Sequence, residues 1–217
     1  MLFESLETRS LLSASLDATT GVLTITGTNH NDHVVVFQKN KTTLGVHEET
    51  LLPAVQKGQK PTHVQHSTTF KLADVKSIVV NVGKGNDAVN TGGSLLHTLK
   101  IASTIDGGDG NDYLAGGNGN DVITGDAGND SLFGRGGNDK LSGGDGNDHL
   151  VGGRGADILN GDAGNDIIDA RDRAATDVVD GGANDAVSRT NVGDRAIVDK
   201  GDTVSNIERL LTVPKHA

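Results

Sequence analysis

The chain predicts an all-β protein wound as a parallel helix of short strands, and three observations carry that expectation. A nine-residue unit repeats seven times without a gap from Gly107 to Asp169. Inside it, positions 1 and 4 are always Gly, position 6 is always Asp and position 8 is always aliphatic. Aromatic residues make up only 2% of the chain and Trp is absent, which argues against a large globular core.

Each part of the unit has a physical purpose. Gly at positions 1 and 4 permits positive φ, so the first six residues can turn tightly with carbonyls pointing inward. Positions 7 to 9 then read as a very short strand. Its central side chain, one of Leu114, Ile123, Leu132, Leu141, Leu150, Leu159 and Ile168, points into a core. A strand must return on the opposite face before the pattern recurs, so two units make one coil and units n and n+2 stack. The position-6 residues Asp112, Asp121, Asp130, Asp139, Asp148, Asp157 and Asp166 then line up about 4.8 Å from their neighbours along the axis.

Such a stack repels itself. The tract holds twelve Asp against Arg135, Lys140 and Arg154, a net charge of −9 in a chain of −10. Each coil buries only two aliphatic side chains, so folding without a counterion is expected to be marginal. Carboxylate and carbonyl oxygens, with no Cys and one His (His149) in the tract, suit a hard cation with six to eight oxygen ligands, which is calcium. Magnesium prefers a small octahedron, and zinc or copper prefers nitrogen and sulfur. Calcium at 100 times its dissociation constant adds about 2.7 kcal/mol per site, so a few sites can switch the tract from disordered to folded.

The tract resembles the RTX, or haemolysin-type, calcium-binding repeat family. That resemblance implies a parallel β-roll in which each calcium sits between turns two units apart. It implies carboxylate pairs Asp112 with Asp130, Asp121 with Asp139, Asp130 with Asp148, Asp139 with Asp157 and Asp148 with Asp166. It further implies carbonyl ligands from the turn glycines, among them Gly108, Gly110, Gly117, Gly119, Gly125, Gly128, Gly134, Gly137, Gly143, Gly146, Gly152 and Gly161. Asp126, Arg135 and Asp162 replace Gly at position 2, and Ala156 replaces the usual Asn at position 5.

Outside the tract the pattern decays. Gly83–Val89 keeps the GxGND core, Gly27–Val34 is weaker, Asp177–Asp180 reads as the end of a unit after an insertion, and Gly181–Asp185 as a unit with a deletion. Asp32, Asp87, Asp177 and Asp185 are candidate ligands, with solvated turn aspartates as the preferred reading. Val22–Thr26, Val34–Phe37, Ile78–Val82 and Leu99–Ala102 read as strands. Residues 38–69, polar and with Pro53 and Pro61, read as a loop or irregular insertion. Two strands near the C-terminus, over Ile197–Asp199 and Asp202–Leu211, are expected to cap the roll, because an open solenoid edge invites self-pairing. The expected division is an N-terminal sorting-like segment over 1–16, a β-rich region over 17–105, the calcium roll over 106–188 and a cap over 189–217.

The N-terminal segment Phe3–Ala14 has acidic residues and no long apolar centre, unlike an ordinary signal peptide. It resembles the LEPR-x-LL motif of planctomycete exported or surface proteins, with Thr8 where that motif has Pro. That implies an extracellular or cell-surface location. The acidic balance argues against nucleic acid as a partner, and no run reaches the roughly 18 apolar residues of a membrane span. Catalytic motifs are missing: no HExxH, GxSxG or P-loop occurs, and residues 50–207 contain no Glu to close a helix–loop–helix calcium loop. His30/His33 and His63/His66 have HxxH spacing but read as loop histidines. The expectation is a non-enzymatic calcium-binding roll. The alternative is a fragment or appendage of a secreted RTX-type enzyme or toxin.

Overall fold

The computed structural model describes residues 12–52, 62–92, 99–172, 175–183 and 193–213. Among them the strands are β1 (Ser13–Leu16), β2 (Val22–Thr26), β3 (Asp32–Asn40), β4 (Thr43–Leu52), β5 (Thr62–Lys71), β6 (Ser77–Asn81), β7 (Ala88–Asn90), β8 (Ala102–Asp109), β9 (Tyr113–Ala115) and β10 (Val122–Ala127). They continue with β11 (Ser131–Gly136), β12 (Lys140–Asp145), β13 (His149–Arg154), β14 (Ile158–Ala163), β15 (Ile167–Asp169), β16 (Val178–Asp180), β17 (Arg195–Asp199), β18 (Thr203–Ser205) and β19 (Arg209–Val213).

Consecutive strands of the repeat tract alternate between two sheets, as an 18-residue coil requires. One sheet runs β1-β2-β6-β8-β10-β12-β14-β16-β18 and the other β19-β17-β15-β13-β11-β9-β7-β3-β4-β5. From β2 to β18 and from β3 to β19 through β7 every pairing is parallel, with Leu141 beside both Ile123 and Leu159, and Leu132 beside both Leu114 and Leu150. Among the described residues only the β1–β2, β3–β4 and β4–β5 pairs at the N-terminal end are antiparallel.

The position-8 side chains meet between the sheets. Leu114, Ile123, Leu132, Leu141, Leu150, Leu159 and Ile168 are all fully buried. Their columns extend past the regular tract through Ile25, Val80 and Ile105 on one side and Val34 and Val89 on the other, ending in Val179 and Ala196. One continuous apolar cluster therefore runs from Leu12 to Val198.

Five sequence expectations are corrected. Strands β10 to β14 of the tract are six residues long, because main-chain pairing continues past position 1, as in Asp126–Gly144 and Ala127–Asp145. Much of 38–69 is an antiparallel meander of β3, β4 and β5, not a loop. Its outer strand β5 is largely exposed, so it carries little of the apolar alternation that marks a strand. Leu99 and Ile101 precede β8 instead of lying within it, and Leu99 O accepts the Asn118 N–H, at 2.8 Å. The C-terminal region forms three strands, β17 to β19. His33, His63 and His66 lie on strands rather than loops. Asp185 and residues 1–11 lie outside the described residues. No helix among the described residues is long and apolar enough to cross a membrane.

Candidate metal centre

Each position-6 Asp closes a turn just before its strand and folds its carboxylate back beneath that turn. One oxygen is used in a ladder that runs the length of the roll. The N–H of Asp112 donates to Asp130 Oδ1 (2.7 Å), Asp130 to Asp148 (2.7 Å) and Asp148 to Asp166 (2.8 Å). On the other sheet Asp121 donates to Asp139 (2.8 Å) and Asp139 to Asp157 (2.8 Å). The position-5 asparagines make a parallel ladder in the opposite sense, as in Asn129 N–H to Asn111 Oδ1 at 2.7 Å.

The second oxygen is different. Oδ2 of Asp112, Asp130, Asp139, Asp148, Asp157 and Asp166 is buried and has no hydrogen-bond partner. Position 1 explains the geometry. A Cβ on Gly107, Gly125, Gly134, Gly143 or Gly161 would meet both the Oδ2 of its own turn and a carbonyl oxygen of the next coil, namely Gly125, Gly143, Gly152, Gly161 and Gly181 O respectively. Buried carboxylate and carbonyl oxygens thus converge on a space kept free by a missing side chain. These position-1 glycines do not have positive φ, against the sequence expectation. The left-handed residues are at positions 4 and 2, including Asp126, Arg135 and Asp162 with φ of 71°, 78° and 72°. Converging acceptors with no donor fit a hard cation held by oxygens.

Electrostatics agree. Burial pushes the carboxyls of Asp139 and Asp166 up to about 7, and those of Asp112, Asp148 and Asp157 up to about 6. The ladder N–H groups oppose the rise and neighbouring carboxylates add to it. Burial also raises Asp130. Folded carboxyls raised above 3.8 hold protons that the unfolded chain releases. Without calcium, this contribution to stability is therefore present below about pH 4 and is lost as pH rises through 6 to 7. The calcium-free chain is expected to show more β structure near pH 5 than near pH 8. The calcium concentration at half-folding should increase as pH falls from about 7.5 to 5.5, because protons and cations compete for one oxygen. Circular dichroism titrations at several pH values check both; a calcium midpoint independent of pH would count against shared oxygens.

Not every turn is alike. Asp121 has no orphaned oxygen: Oδ1 accepts from Ser103 N–H (2.7 Å) and Oγ (2.8 Å), and Oδ2 from Gly117 N–H (2.7 Å). Its turn differs because Gly117 and Gly119 lack the positive φ of the equivalent residues. Asp32 ends the other ladder, with acceptors filled by Thr28 and Thr50. Asp87 and Asp177 are buried ladder members with orphaned Oδ2 atoms, which corrects their reading as solvated turn residues. Their position-1 places hold side chains, however. Val82 lies in register with Gly107, one step after the Asn81–Asp106 pair, and Ala170 follows Asp169 on β15 just as Gly152 follows Val151 on β13.

Sequence reasoning overlooked three ladder members. Asp166 N–H donates to Asp194 Oδ1 (2.7 Å), Asp177 N–H to Asp202 Oδ1 (3.1 Å) and Asp194 N–H to Glu208 Oε2 (2.8 Å). Insertions shift them out of nine-residue phase. The signal that remained was an acid two residues before a buried-column aliphatic or Ala, as in Asp194-Arg195-Ala196. Among the described residues no group of three or more His, Asp or Glu side chains converges as a metal site. The tract's oxygens come from carboxylates and main chain together.

Residues 106–141 and 142–172 match the RTX calcium-binding nonapeptide repeat family in its four-copy form. A comparison with curated proteins finds no match. The ladder of buried aspartates beneath glycine turns and the family match meet on the same residues: the tract from 106 to 172 is made of RTX calcium-binding nonapeptide repeats, which bind Ca2+, wound as a parallel β-roll.

Proposed function

We propose that the chain is a non-enzymatic, calcium-folded roll of an exported or surface-associated structural protein, with calcium held between carboxylate pairs two units apart. The pairs are Asp112 with Asp130, Asp130 with Asp148, Asp148 with Asp166, Asp139 with Asp157, and Asp166 with Asp194. Turn-glycine carbonyls complete each site. The observation that carries this is the buried Oδ2 facing a next-coil carbonyl over a position-1 glycine in the turns of Asp112, Asp130, Asp139, Asp148 and Asp166. Asp121 is left out as a ligand, because its Oδ2, unlike the others, already accepts a main-chain N–H, that of Gly117. The roll extends past 106–188 in both directions, and the β-rich N-terminal region and the cap supply its end coils. The chain's residues bind and orient; calcium supplies the charge that lets the stacked carboxylates stay ionised in the core.

Gly134→Ala places a methyl group against Asp139 Oδ2 and Gly152 O, and should reduce bound calcium at saturation by about one ion per chain. Asp121→Asn should leave the count unchanged. Flow dialysis on both variants checks this. Equal counts in wild type and Gly134→Ala would refute the site. Cell fractionation tests the location, and full β structure in chelator tests the calcium-folded reading.

A further inference from the structure

The N-terminal meander contains a buried acid that the calcium ladder does not use. Glu48, on β4, is fully buried, and neither carboxylate oxygen has a hydrogen-bond partner. It lies in register between Val34 on β3 and His66 on β5, so the three side chains share one face. A cavity of about 100 Å³ opens beside it, lined by Leu12, Glu48, Thr50, Val64, Gln65 and His66. Neighbouring groups are already engaged: Thr50 Oγ1 donates to Asp32 Oδ1 at 2.5 Å, and Thr28 fills the rest of that carboxylate. Burial raises the Glu48 carboxyl, while the imidazoles of His66 and His47 favour its ionised form.

We propose that this cavity is a second cation site, chemically distinct from the roll's, that takes a single ammonium or guanidinium head group on Glu48. One carboxylate balances one positive charge, and a divalent ion would bring a second charge with no acid to meet it. Metal ions of either valence want several oxygen ligands. Here Leu12 and Val64 give much of the wall an apolar character, which suits a cation on a short alkyl stem. Two free oxygens on one planar group match the donors of an ammonium or a bidentate guanidinium. The volume holds roughly three waters' worth of ligand. Two sources carry this chemistry. One is a small amine in solution. The other is Arg9, which precedes Leu12 by three residues in sequence and is the sole Lys or Arg before Lys39.

The full chain, saturated with calcium at pH 8, is melted in methylammonium chloride, sodium chloride and tetramethylammonium chloride at equal ionic strength. Wild type and Arg9→Ala are compared, each with and without Glu48→Gln. Methylammonium should raise Tm by about 2–4 °C over the other salts. A rise in wild type assigns the cation to solution. A rise confined to Arg9→Ala assigns it to the chain's own arginine. Glu48→Gln, which keeps the side chain's shape, should abolish the rise in either case. No methylammonium-specific rise in either background, or a rise that survives Glu48→Gln, overturns the proposal. So does a Glu48 carboxyl carbon resonance that stays in its protonated position at pH 7 with methylammonium present.

Discussion

Removal of calcium is expected to unfold the roll. Chelation at pH 7.5 should convert the β-type circular dichroism spectrum to that of a coil, and added calcium should restore it. The cause is the row of buried carboxylates, of which all but Asp121 in the tract have an oxygen that no protein donor reaches. The five proposed pairs, each contributing about 2.7 kcal/mol at 100 times its dissociation constant, would amount to on the order of 13 kcal/mol. That is as large as the whole stability of an ordinary domain, about 5–15 kcal/mol. Against it, each coil buries only two position-8 aliphatics. Magnesium at equal concentration should fold the chain poorly, because the sites offer many oxygens in an open arrangement rather than a small octahedron. A chain that keeps its full β signal in excess chelator at pH 7.5 would sink the calcium-folded reading.

The second large effect separates ligand from core within a single coil. Asp148→Ala should remove two bound ions per chain if, as proposed, Asp148 shares one ion with Asp130 below and one with Asp166 above. Asp139→Ala should remove one, because Asp121 beneath it is already hydrogen-bonded. Leu141→Ala leaves every oxygen in place and opens a cavity at a fully buried position, destabilising the fold by about 2–5 kcal/mol. All three variants should need more calcium to fold, since folding and binding are linked. At saturation only Leu141→Ala should bind the wild-type number. Lys140→Ala, on the exposed face between them, should change neither quantity much. Calorimetric ion counts decide the matter. An unchanged count in Asp148→Ala would mean that the position-6 aspartates are not ligands.

The repeat made much of this legible in the residues. A period of nine with one aliphatic and one acid per unit leaves few ways to bury the first and neutralise the second, and stacking two units apart does both. The same logic failed where phase was lost. Asp194, Asp202 and Glu208 continue the ladders, but insertions before them broke the count even though the hydrogen bonds close across the extra residues. Exposure misled the reading of the meander. Only one face of β4 is buried, and β5 is mostly open to solvent, so polar residues there looked like loop.

Chain order alone dictated the coil length, the inward column from Leu114 to Ile168, the acid at every turn and the preference for an oxygen-loving cation. These follow from local periodicity, which the sequence contains in full. It could not dictate which acids are short of donors. Asp121 and Asp139 stand in the same place in near-identical units, yet Ser103 and Gly117 donate to both oxygens of the first and nothing donates to Oδ2 of the second. Nor could it dictate why position 1 must be Gly. Its φ is ordinary, and what excludes a side chain is the meeting of its own carboxylate with a carbonyl from the next coil. Both depend on which residues of distant coils come to face each other, and that is settled only when the coils stack.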